Sequence, residues 1–327
     1  MHIKSRQPFG LAAVAAAVLA IPAAGLALEA GSASLSQHLV NAASAFNVYV
    51  DRASALNGGF TNGQSVSDAL VVGAAYQIDQ LEEGEVSYGA LIALQDPAFV
   101  RGVQRAAPDE ESARQLLDAL LDDPRAVLRI DGAAGAAALT ASALRNQAED
   151  IGRAGRLVKQ AAYDLQRQPW SKETVPDAAV RLARVKALSA ARSTASPDET
   201  ARLMRAALDM RGSSAGRSYA PTPMVTRSLA LAVAALTGQA GDADTSRIAP
   251  LLREPSSSTC LKMAKLNLYQ CLAVAGPHYE DMFCLGQHAL IDTGKCVSNA
   301  AGAEAPVSVP PPPSTTLASI SVPAATD

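Results

Sequence analysis

All four cysteines of this 327-residue chain fall in one stretch, Cys260, Cys271, Cys284 and Cys296, with His278 and His288 among them. Such a set can do three kinds of chemistry. Cys284 and His288 are four apart and share a helical face, and His278 and Cys296 would complete a four-ligand set of the kind zinc accepts. Their intervals match no zinc motif, and four cysteines also satisfy a disulfide plan without remainder. A close dithiol redox pair needs C-x-x-C, and c-type haem attachment needs C-x-x-C-H; neither occurs. The reading adopted is two disulfides, with no metal and no cofactor.

Helix geometry selects the pairing. Ser256 to Ala275 reads as one helix, Gly276-Pro277 as the turn, and Pro277 to about Asp292 as a second helix. Cys260 and Cys271 are eleven residues apart, about 16 Å along a helix, whereas a disulfide needs Cα atoms within about 7 Å. Bonding within a helix is excluded. The crossed pairing would join a cysteine far from the turn to one near it. The nested pairing, Cys271–Cys284 and Cys260–Cys296, fits. Cys284 and Cys296 fall about 120° out of phase if helical throughout, so Gly294 is expected to end the second helix and leave Cys296 on a flexible exit. The layout resembles twin-cysteine helical hairpins in general plan, with different intervals, and no function follows from that.

Other candidate chemistry is thin, and no catalytic residue is assigned. "GSSAG" at 212–216 formally fits the G-x-S-x-G nucleophile elbow, with Ser214 in the nucleophile place. That motif needs a strand-to-helix turn, and here a helix precedes it, so a glycine-serine loop is expected and a hydrolase is the last-ranked reading. The acid clusters at Glu82, Glu83 and Glu85 and at Asp109 to Glu111 are expected at solvated helix ends. Aromatic residues concentrate in the N-terminal third, and Phe46, Tyr49, Tyr76 and Tyr88 are the residues expected to line a pocket for an apolar small ligand.

The elements that must position these groups are helical. Alanine, leucine, arginine and glutamine dominate, and no alternating β-branched run marks a strand. The expected fold is all-α: layered antiparallel helices, with a solenoid-like array as one form of that layering, and a C-terminal disulfide-stapled hairpin. Asp96-Pro97, Asp123-Pro124 and Thr222-Pro223 place a capping side chain before a first-turn proline, and Ser196 to Glu199 is a capping box. The turns "ALQDPAFV", "LLDDPRAV" and "LLREPSSS" share leucine, acid, proline and then a new helix. This resembles the turn of HEAT-type helical repeats, over three turns only and with no constant period. Residues 133 to about 168 read as one long helix. Leu144, Ile151, Val158 and Leu165 alternate along its seam with Ala141, Ala148, Gly155 and Ala162. Such a seam packs in the core of one chain or joins two copies.

Residues 1–27 read as a secretory signal peptide: a basic start, the apolar run Leu11 to Ile21, and a small-residue exit. No later segment is long and apolar enough to span a bilayer. With 28 basic and 31 acidic residues and a net charge of −3, there is no electrostatic case for nucleic acid. The expected organisation is an N-terminal helical region over 28–131, a central region over 132–254, the stapled hairpin over 255–297, and a disordered proline-rich tail over 298–327. The function expected is an exported, non-enzymatic binding or scaffolding protein of the bacterial cell envelope, periplasmic or secreted, with an envelope protein partner. Self-association through the 133–168 helix is the second partner reading, and a carrier of an apolar ligand is the alternative function.

Overall fold

The structure, a computed structural model, describes residues 35–209 and 220–302. The leader, Ser214 and the tail beyond Gly302 fall outside the described residues. Among those residues the fold is all-α: α1 (Gln37–Ser54), α2 (Gly63–Ala74), α3 (Ile78–Ala93), α4 (Pro97–Ala106), α5 (Glu110–Asp122), α6 (Ala133–Leu165), α7 (Ala178–Ala190), α8 (Pro197–Asp209), α9 (Pro223–Leu236), α10 (Thr245–Ile248), α11 (Pro255–Val274), α12 (His278–Cys284) and α13 (Asp292–Ala301). One contiguous buried cluster runs from Leu39 to Ala301, so the three helical regions share a core.

The helix starts follow from local chemistry. The carboxylate of Asp96 accepts from the backbone N–H groups of Ala98 and Phe99, that of Asp123 from Arg125, and that of Glu254 from Ser256 and Ser257. All three acid-proline turns are therefore N-caps with proline in the first turn, where its missing N–H costs nothing. Asp123 opens a short 3-10 turn rather than an α-helix. Thr222 caps α9, and Ser196 and Glu199 bond reciprocally at the start of α8.

Helix α3 lies at the centre, packed on α1, α6, α9 and α11, and every residue from Gln80 to Ala93 is buried. Two glycines let its neighbours close in. A β-carbon at Gly84 would lie 2.7 Å from the Ala42 carbonyl oxygen of α1, and one at Gly89 2.4 Å from the Ser228 hydroxyl of α9. Glycine and alanine thus let the backbones around α3 approach closely, with Phe46 and Tyr88 filling the space beside them.

Helix α6 carries the expected seam. Leu144, Ile151 and Val158 are fully buried, with Ala141, Ala148, Gly155 and Ala162 between them. The seam faces α12, α13 and the segment joining them. A β-carbon at Gly286 would lie 2.5 Å from the Lys159 backbone nitrogen, and one at Gly155 2.9 Å from the Gly286 carbonyl oxygen. The two backbones touch, which only glycine permits. This seam is filled from within the chain, so a contact between copies through residues 133–168 would first have to open it.

Candidate functional site

The hairpin bonds as its spacing requires. Cys260 and Cys296 are joined with a Cα–Cα distance of 5.6 Å, and Cys271 and Cys284 with 5.7 Å. The expectation for the second helix was wrong in one respect. Gly294 does not end it; the helix continues to Ala301, and Cys296 is buried in α13 rather than on a flexible exit. The phase problem is solved differently. Residues Leu285–Ile291 form a π-helical segment between α12 and α13. Its i→i+5 bonds widen the turn to about 4.2–4.4 residues, so each residue advances about 82–86° instead of 100°. Over seven residues this withdraws about 100–125° of rotation. That cancels the mismatch and brings Cys284 and Cys296 to one face, opposite Cys271 and Cys260.

The inner disulfide forms the floor of an open groove of about 460 Å³, lined by Ala162, Tyr163 and Gln166 of α6, Val274 and Ala275 at the end of α11, and Tyr279, Glu280 and Phe283 of α12. Tyr163 is 50 % exposed and Val274 85 %. Tyr163 and Phe283 meet edge to face with centroids 6.3 Å apart, and the Lys159 ammonium lies 5.2 Å from the Phe283 centroid. Met263 and Leu266 are also half exposed on α11. Val274, at the edge of the groove, lies eleven residues beyond Met263, with Asn267 and exposed Gln270 between it and Leu266 on that face. The exposed apolar side chains that bear on binding are those gathered at the concave site itself, Tyr163 and Val274.

A second, more polar groove of about 520 Å³ lies between α2, α7 and α12, closed by the Glu173–Asp177 segment. That segment is tied to the hairpin turn, with Val175 N–H donating to the Gly276 carbonyl at 2.8 Å. Its wall holds a buried ion pair, Arg181 to Asp281 at 2.6 Å. Arg181 also donates to the carbonyls of Leu272 and Ala275 at the end of α11. Burial pushes the Asp281 carboxyl up to about 6, against the pull of the guanidinium. Burial holds the His278 imidazole below its usual range, with Glu173 opposing. Through its two terminal nitrogens Arg181 ties α7 to both arms of the hairpin, while its buried Nε has no partner among the described residues.

The acid cluster corrects a second expectation. Glu82, Glu83 and Glu85 do not sit at a solvated helix end; they lie inside α3 and are 1 %, 8 % and 0 % exposed. Arg253 reaches Asp79, Glu82 and Glu83 at 3.2–3.6 Å, Arg192 reaches Glu83 at 2.9 Å, and the Glu254 N–H donates to Glu82. Glu85 receives one bond, from the Ser257 hydroxyl at 3.0 Å, and its other oxygen has no partner among the described residues. Burial pushes its carboxyl up to about 8, and the neighbouring Glu82 and Glu254 add to the rise. It is therefore protonated at neutral pH. Two turns along α11, buried Lys265 donates to the Ala74 carbonyl and the Ser189 hydroxyl, and its ammonium lies 3.5 Å from the Tyr76 ring centroid. Burial pushes its pKa down, while the ring face and two oxygens hold the charge. The cluster at Asp109 to Glu111 does sit at a helix start, with Asp109 capping α5.

The four rings expected to line a ligand pocket pack on one another in the core. Phe46 meets Tyr88 tilted with centroids 5.4 Å apart and Tyr49 meets Tyr76 edge to face at 4.8 Å, and all four are buried. The two grooves described lie elsewhere and use none of them. Tyr76 hydroxyl bonds Thr293 at 2.9 Å, and Tyr49 donates to the Gly73 and Ala289 carbonyls, so these rings tie α1 and α2 to the hairpin. The proposed zinc ligands part company: Cys284 and Cys296 are spent in disulfides, and His288 bonds Asp292 at 2.8 Å. Sequence reasoning missed the groove residues Tyr163, Tyr279 and Phe283. The only available signal was their position opposite Cys271 and Cys284. Comparison with known protein families, curated proteins and solved structures finds no match for this chain.

Proposed function

We propose that this is an exported, non-enzymatic binding protein that holds an extended apolar segment of a cell-envelope partner in the aromatic groove beside the Cys271–Cys284 bridge. The observation that carries the reading is the groove itself. Half-exposed Tyr163 and partly buried Tyr279 and Phe283 line it beside the disulfide, with exposed Val274 at its edge. Aromatic-lined grooves take extended, proline-bearing peptides because such chains lose little entropy on docking. Export is supported by the leader pattern in residues 1–27 and by the pairing of all four cysteines, which persists in oxidising compartments. No described helix is long and apolar enough to cross a membrane.

The test is a pull-down from envelope extracts with the oxidised wild-type chain and with the surface variant Tyr163→Ser/Val274→Asp. Both side chains are at least half exposed, so the fold is retained. A bound species present with wild type and lost with the variant supports the groove; retention of every species by the variant removes it. A carrier of an apolar small ligand is the second reading, favoured by the groove volume of about 460 Å³, which lies within the range of small-ligand sites. Native mass spectrometry showing a stoichiometric apolar compound on wild type, absent from the variant, would select it.

A further inference from the structure

We infer that the groove is occupied in the free protein by the chain's own C-terminal segment, the Pro310–Pro313 run and its apolar flanks, so that a partner must displace it. This deepens the groove reading above and rests on it.

The first argument is reach. The last described residue, Gly302, has its carbonyl oxygen 3.2 Å from the Arg145 guanidinium, so the described chain ends beside residue 145 of α6. The groove is bounded by Tyr163 on the same helix, eighteen residues further on and so about 27 Å away. Pro310 follows Gly302 by eight residues, an extended reach of about 26–29 Å. The proline run therefore begins where the groove begins, if the segment runs straight back along α6. The route is open: Glu149, Arg153, Arg156 and Gln160 form an exposed outer stripe between the two points.

The second argument is composition. Residues 305–326 carry no charged side chain and contain Val307, Val309, Leu317, Ile320 and Val322 besides six prolines. A polyproline stretch presents a preformed apolar ridge that packs on aromatic rings, and the groove offers three. Tethering does the rest. A short linker gives an effective concentration of roughly 1 mM, so a segment that binds with a Kd of about 0.1 mM in isolation is about 90 % docked, and a competitor's affinity drops about tenfold.

The experiment compares two full-length oxidised chains, wild type and Pro311→Asp/Pro312→Asp, by titration with a fluorescent synthetic peptide of residues 305–316. Both changes lie outside the described fold, and each chain is checked by its helical circular dichroism. The expected result is binding about tenfold tighter to the variant, abolished by adding Tyr163→Ser. Equal affinity for both chains overturns the inference and leaves the groove reading standing. Binding to neither also overturns it, and the pull-down above then judges the groove by itself. In parallel, a photo-crosslinking residue at Gln166 in a mixture of long-tagged and untagged copies should join the tail within one chain. Crosslinks only between copies would assign the groove to a second molecule and overturn docking in cis.

Discussion

Replacing Glu85 with glutamine should change how stability depends on pH, by an amount the structure sets. The Glu85 carboxyl is fully buried with its pKa raised from the ordinary 4.5 to about 8. Between these values the native state keeps a proton that the unfolded chain releases. The native state therefore binds more protons, and stability falls as pH rises through that window. The slope is about 1.4 kcal/mol per pH unit where the two states differ fully. Integrated, the group costs about 1 kcal/mol at pH 5, about 3 at pH 7 and between 4 and 5 at pH 9. Glutamine keeps the shape, still accepts from Ser257 and cannot ionise. Its amide leaves a donor where the unpartnered oxygen stood, which offsets about 1–2 kcal/mol at every pH. The difference between variant and wild type should then swing by about 4 kcal/mol in favour of the variant from pH 5 to pH 9. Buried Lys265, whose pKa is lowered, contributes with the opposite sign, since its stability rises with pH. Glu82 is also raised by burial. Lys265 remains in each chain and drops out of the difference, and the coupling of Glu82 to Glu85 is already contained in the raised Glu85 value. Urea melts followed at 222 nm, at unit steps from pH 5 to pH 9, read it directly. A difference that stays flat within about 1 kcal/mol would refute the placement of a buried, protonated Glu85 inside α3.

Three further outcomes follow. Replacing both cysteines of one bridge with serine should cost about 4 kcal/mol for Cys260–Cys296 and about 3 for Cys271–Cys284. The longer separation of 36 residues against 13 sets that order, which thermal melts check. Gly286→Val drives a side chain into the Lys159 backbone and should cost about 3 kcal/mol; Gly276→Val, with open space around it, should cost far less in the same denaturant assay. Arg181→Met strands the buried Asp281 carboxylate and should cost about 3–5 kcal/mol at pH 8, where that group is ionised. Much of this should return below pH 5, as Asp281 takes up its proton, or on adding Asp281→Asn.

Residues that act on their own neighbours were legible. Asp96, Asp123 and Glu254 cap helices because an acid before a proline can do little else, and Gly155 announced a close crossing because a long helix tolerates it only for a reason. The disulfide pairing was legible because it follows from helix rise and one turn. What escaped reading was decided at a distance. Glu82, Glu83 and Glu85 look like a solvated edge until Arg192, Arg253 and Ser257, over 100 residues away, are brought against them. Gly294 looks like a stop, yet it lies against the Ala148 carbonyl of α6, and that contact carries the helix through it. The π segment has the same origin: nothing in "LGQHALI" asks for a wider turn, which the packing on α6 and the two bridges together require. The groove rings were invisible for the opposite reason, since an exposed tyrosine carries no pattern until its neighbours are known.

The acid-bearing central helix also has a consequence for the order in which this molecule can mature. A ribosome releases Glu85 long before Ser257, which stands 172 residues later; at about 5–20 residues per second the delay is roughly 10–30 s. For the first part of that interval the carboxylates of Glu82, Glu83 and Glu85 have none of their partners; Arg192 follows Glu83 by 109 residues and Arg253 by 170. Helix α3 can therefore reach its buried, clamped state only once the chain through Ser257 is present, so a front half alone lacks the groups that hold its acids inside.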